Sequence, residues 1–154
     1  KTSPDTLDEI ANTVTADFCY YAILTNPSAK VETLIKLIRE ADSSYYRKGV
    51  VSSFSIERML CRRKESMPAQ VIDAIWEYHN KDVRIIRCLV QRGDIQVEIL
   101  KKTISHPNYE VRVAVIKNPK TTIEEIIKAT KDKSRNVRDC AVLELWNRNR
   151  LKII

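Results

Sequence analysis

The sequence predicts an all-α fold, a right-handed α-solenoid of about five to six two-helix repeats, each 24–28 residues long. Three observations predict it. The 154 residues include only two glycines, Gly49 and Gly93, too few for the tight hairpins of an antiparallel sheet. Apolar residues recur at the i, i+3, i+4 spacing of one helical face. That pattern returns at a nearly constant offset, interrupted each time by Asn-Pro or Arg-Gly. The length suits one domain, residues 1–154, with an irregular or inserted segment near 42–66.

Taken in order, Leu7, Ile10 and Ala11 in SPDTLDEIA mark the first helix. Asn26-Pro27 then breaks the chain, because the residue before proline is pushed out of the α region. Val31, Leu34 and Ile35 restart it, and the same slots return 92 residues later as Ile123, Ile126 and Ile127. Residues 44–63 fit the period poorly and read as an extra helix. PAQVIDAIW, 68–76, returns to the pattern, with Pro68 suited to a first helical turn. Ile85, Cys88 and Leu89 begin a second series, followed 26 residues later by Val111, Ala114 and Val115. A further 26 residues lead to Val137, Cys140 and Ala141. The breakers between these helices are Arg92-Gly93 and Asn118-Pro119. RGDIQVEIL, 92–100, fills the slot between them. The closing Leu143, Leu145, Trp146, Leu151, Ile153 and Ile154 either cap the stack or offer an apolar end to another copy or a missing repeat.

NPKTTIEEIIKATKDKSRNVRDCAV resembles a unit of the leucine-rich repeat variant family, a HEAT-like α-solenoid, in which Asn-Pro-x-Thr precedes one helix and Val-Arg opens the next. The resemblance is good over 92–146, fair over 2–41 and poor between 42 and 66. It implies stacked helical repeats that serve as a binding surface. Some members of that family carry an iron–sulfur cluster on grouped cysteines, and nothing here matches that arrangement.

The net charge of +7 is uneven. Residues 1–50 carry −1, residues 51–100 carry +1, and residues 101–154 carry +7. Such asymmetry points to an anionic partner at the C-terminal third. Cys19, Cys61, Cys88 and Cys140 form no CxxC pair and suit a reducing, cytoplasmic setting. No apolar run approaches the roughly 18 residues that span a bilayer, and no signal peptide is visible.

The candidate sites are chiefly basic. Arg112 and Arg138, 26 residues apart, fall in register on successive units. They read either as guanidinium groups for an anion or as structural partners of Asn108, Glu110, Asp132 or Asn136. Arg84 lies two residues out of that phase. With Lys131, Lys133, Arg135, Lys101 and Lys102, Arg112 and Arg138 make a candidate basic stripe able to hold a nucleic-acid backbone. Arg62, Arg63 and Lys64 form a second cluster. The cysteines read as small buried residues rather than metal ligands. His79 and His106 stand alone, without a metal or catalytic spacing. Tyr20-Tyr21 and Tyr45-Tyr46 read mostly as core, one ring of each pair facing inward, and Trp76 and Trp146 read as core.

These features predict a non-catalytic interaction module for a protein partner, with no cofactor, no metal and no membrane. The alternative is sequence-independent nucleic-acid binding through the basic third. Its enzymatic variant is a helical-repeat DNA glycosylase drawing on Trp76, Trp146, Asp73 and Asp139. No P-loop, nucleophile elbow, dinucleotide fingerprint or zinc motif occurs.

Overall fold

The computed structural model describes residues 2–13, 17–41, 53–63 and 65–150. Among these residues the chain is entirely helical, without strands. The helices are α1 (Pro4–Thr13), α2 (Asp17–Thr25), α3 (Val31–Glu40), α4 (Ser53–Arg62), α5 (Ala69–His79), α6 (Val83–Val90), α7 (Val97–Thr103), α8 (Tyr109–Lys117), α9 (Ile123–Ala129) and α10 (Arg135–Arg150). Packing divides the chain into two compact units, Lys1–Cys88 and Leu89–Ile154.

In the first unit α3 packs on α5, α2 on α4, and α1 on both α2 and α3. The apolar faces meet in a core that includes Leu24, Leu34, Leu37, Ile38, Ile56, Met59, Ile72 and Ile75. Polar ties reinforce the packing. Lys30 on the loop before α3 reaches Asp5 at 2.8 Å and Asp8 at 2.7 Å on α1. His79 Nε2, at the end of α5, donates to the carbonyl of Ile38 at 2.7 Å. Arg63 is buried and donates to the carbonyl of Leu24 at 3.2 Å. Tyr20 lies in the core, while the half-buried Tyr21 ring is covered by the Arg58 guanidinium at 4.7 Å.

In the second unit α8 and α9 both pack on α10, and α7 packs on α8. Ile116, Ile126, Ala129, Val137 and Ala141 form one buried cluster, with Val113, Cys140 and Leu145 packed against it. The expected series of Val111, Ala114 and Val115 is buried in full, and Ile85 and Leu89 are buried 26 residues before it. Local chemistry starts α8 and α9 where the sequence turns. Asn108 caps α8 by accepting from the Glu110 amide at 2.7 Å. Thr122 and Glu125 cap α9 reciprocally, side chain to backbone in both directions.

Four expectations are corrected. Of the cysteines read as small buried residues, only Cys88 is buried, and Cys61 is exposed. Ile127 is exposed although it occupies the i+4 slot, because the seven-residue α9 buries Ile126 and Ala129 and turns the next position outward. Trp146 is 54% exposed rather than core, and Trp76 is half-buried. Pro68 precedes α5 as its N-cap residue instead of lying in its first turn.

Of the segment near 42–66, residues 53–62 form α4. Residues 42–52 and Lys64 lie outside the described residues, as do Tyr45, Tyr46, Leu151, Ile153 and Ile154. No helix among the described residues is long and apolar enough to cross a membrane.

Candidate functional site

The second unit brings its repeat-related side chains together along two edges. The first is the edge of the loops that lead into α8 and α10. His106 Nδ1 accepts the Asn108 amide at 3.1 Å, and 26 residues later Asp132 Oδ1 accepts the Ser134 amide at 2.7 Å. Both are turns that side chains close onto the backbone two residues on. Each turn offers its carbonyls to an arginine one helical turn ahead. Arg112 donates through Nη1 to His106 O at 2.7 Å and Pro107 O at 2.9 Å. Arg138 donates through Nη1 to Asp132 O at 2.8 Å and Lys133 O at 3.1 Å. The two arginines are therefore equivalent, as their spacing predicts.

They differ in what meets the rest of the guanidinium. Arg112 is 4% exposed. Its Nε and Nη2 hold Asp132 Oδ2 and Oδ1 at 2.9 and 2.8 Å, a two-pronged pair that joins α8 to the loop before α10. Hydrogen bonding from Arg112, ahead of that from the Ser134 amide, holds the Asp132 carboxyl below its usual range. No carboxylate stands opposite Arg138 among the described residues. At the position of Arg84, in the first unit, the contact is instead with Asp82 at 3.5 Å. The slot equivalent to Arg112 belongs to the buried Ile86.

The second edge holds the breakers. Asn118 is buried, accepts the Lys120 amide at 2.8 Å, and donates to Val90 O at 2.7 Å and Arg92 O at 3.0 Å. Lys120 Nζ adds a bond to Ile95 O at 2.8 Å. Arg148 repeats this backward reach, donating to Thr121 O at 2.5 Å and Asn118 O at 2.8 Å. Asn26 in the first unit makes the same turn, accepting the Ser28 amide at 2.9 Å. Asn-Pro is thus a corner whose amide side chain closes its own turn, and at Asn118 it also ties to the preceding corner.

The remaining members of the candidate stripe are spread over the unit. Lys131, Lys133 and Arg135 are exposed together at the α9–α10 loop, with Arg135 3.4 Å from Asp139. Lys101 and Lys102 are exposed at the end of α7, where Lys101 meets Glu98 at 3.2 Å. Arg112 is removed from any exposed stripe by its burial. Within the first unit's basic cluster, Arg62 is exposed and Arg63 is buried.

Of the outward face of α10, sequence reasoning named Leu143 and Trp146 as a possible apolar end and missed Val142. Val142, Leu143 and Trp146 are all exposed there. Val142 is 58% exposed, whereas Ile116 and Val90, one and two periods earlier, are 0% exposed. The signal lay in the period itself: a position buried at Val90 and Ile116 carries an apolar residue again 26 residues on. Of the residues considered for a glycosylase, Asp73 and Trp76 share α5, and Asp139 and Trp146 share α10. No group of three or more His, Cys, Asp or Glu that could hold a metal occurs among the described residues.

No protein-family model matches the chain, and no curated protein or solved structure does either.

Proposed function

We propose that the chain is a non-catalytic helical-repeat interaction module, a right-handed α-solenoid in the style of the leucine-rich repeat variant family. Its binding surface is the outward face of α10. The observation that carries this reading is the exposure of Val142 at a position that is buried one and two periods earlier, at Ile116 and Val90. An apolar face of this kind on a helix marks a site for another element.

Charge specifies the occupant. Where Ile116 is covered, Arg112 receives a carboxylate from the covering hairpin's loop, Asp132. At the equivalent surface Arg138 offers the same guanidinium beside Val142. The partner is therefore an α-helical hairpin with an acidic residue in its loop and an apolar face, bound as a following repeat would be.

The test uses a fluorescein-labelled peptide of residues 119–150, the α9–α10 hairpin that covers the equivalent surface within this chain. It is titrated into the full chain and followed by anisotropy. Saturable binding that is lost with Val142→Glu or Arg138→Ala, and weakened by Asp132→Asn in the peptide, supports the reading. Binding indifferent to all three substitutions removes it.

The second reading, contact with a nucleic-acid backbone, is favoured by Lys131, Lys133 and Arg135 standing exposed within five residues of one loop.

A further inference from the structure

Two of the four cysteines, far apart in sequence, meet in the first unit. Cys61 lies near the end of α4 and Cys88 lies in α6, and their sulfurs are 3.1 Å apart. A disulfide needs an S–S distance of about 2.05 Å, so closing the bond asks for a movement of about 1 Å. Both are free thiols. Cys61 is exposed, so a solution oxidant reaches it, while Cys88 is buried behind it. Burial, and then the hydrogen bond with Cys61, push the Cys88 thiol up to about 12. At neutral pH the shielded sulfur keeps its proton, and the exposed one meets the oxidant first.

We propose that Cys61 and Cys88 form a reversible dithiol–disulfide site that fastens α4 to α6. Its oxidant is a small disulfide or a peroxide. With a disulfide such as oxidised glutathione, the Cys61 thiolate attacks one sulfur and expels a glutathione thiolate. Cys88 gives up its proton and attacks Cys61 of the mixed disulfide, expelling the second glutathione. With hydrogen peroxide, Cys61 becomes a sulfenic acid as the O–O bond breaks and one water leaves. Cys88 then displaces the sulfenic oxygen as a second water. In both routes two thiols lose two electrons and two protons, and the oxidant gains them.

The bond closes a chain segment between residues 27 positions apart. It constrains the unfolded chain and raises the melting temperature of the oxidised form. The partially exposed site and the absence of a spacing motif explain why only proximity in the fold reveals it.

The experiment treats the full chain with oxidised glutathione, and separately with hydrogen peroxide, then alkylates it under denaturing, non-reducing conditions for peptide mass mapping. The expected result is a peptide linking Cys61 to Cys88, Cys19 and Cys140 still alkylated, and a melting temperature raised by several degrees and returned by dithiothreitol. Cys61→Ser, at an exposed position, abolishes the link and the shift while leaving the fold intact. The proposal is overturned by a Cys61 that stops at a glutathione adduct or sulfinic acid with Cys88 still alkylated. A Cys61 that does not react, or one that links to Cys19 or Cys140, overturns it equally.

Discussion

Arg112 and Asp132, 20 residues apart in sequence, share two hydrogen bonds of 2.9 and 2.8 Å between α8 and the loop before α10. Both side chains are largely buried, 5% and 16% exposed. Because the guanidinium also donates to the His106 and Pro107 carbonyls, one side chain joins the loop before α8, α8 itself and the loop before α10. Removing one member of such a buried pair leaves the other uncompensated. Arg112→Met is expected to cost about 3–5 kcal/mol in urea unfolding, and Arg112→Lys to fall short of full rescue because an ammonium cannot match the fork.

The same pair sets a pH dependence. The folded state holds the Asp132 carboxyl below its ordinary value of 3.8. A depressed carboxylate contributes stability that is present above the unfolded value and lost as pH falls through the folded one. Stability should therefore decline as pH approaches and passes below 3.8. Asp132→Asn should be less stable at neutral pH and show a flatter acid limb. A variant that keeps the wild-type acid slope would place that dependence on another carboxylate.

Ile116 and Val142 occupy one repeat position with opposite burial. Ile116→Ala should cost about 2–5 kcal/mol, since it opens a cavity in the α8–α10 core. Val142→Ala should stay within about 0.5 kcal/mol of wild type in the free chain. Equal losses from chemical denaturation would mean that the α10 face is covered in solution.

Asn118 ties one corner to the one before it through Val90 O and Arg92 O. Asn118→Ala removes both donors and leaves those carbonyls without them, at a cost of about 1–3 kcal/mol. Hydrogen exchange should then quicken around residues 90–95 before it does elsewhere in the second unit. Uniform exchange across the unit would argue against a local tie.

Lys131, Lys133 and Arg135 decide between the two binding readings. Their joint replacement by alanine should leave stability within about 0.5 kcal/mol of wild type, as expected for exposed side chains. Anisotropy with labelled DNA and RNA at about 50 and 200 mM salt should show no binding that depends on these residues. Micromolar binding with a steep salt slope, lost in the triple variant, would instead make the loop a nucleic-acid site.

The amino-acid sequence alone was enough for the period, the corners at Asn26 and Asn118, and the buried series of Val111, Ala114 and Val115. These follow from geometry within a few residues: helical spacing selects a face, and proline stops the preceding turn. It also narrowed the partner of Arg112 to a short set that included Asp132. Tertiary structure alone decided which member of that set the fork meets, and it brought Cys61 to Cys88 across 27 residues. It also decided that α10 turns Val142 and Trp146 outward. Local periodicity says that a helix has an apolar face. Whether another helix covers that face depends on contacts through space, which no spacing along the chain encodes.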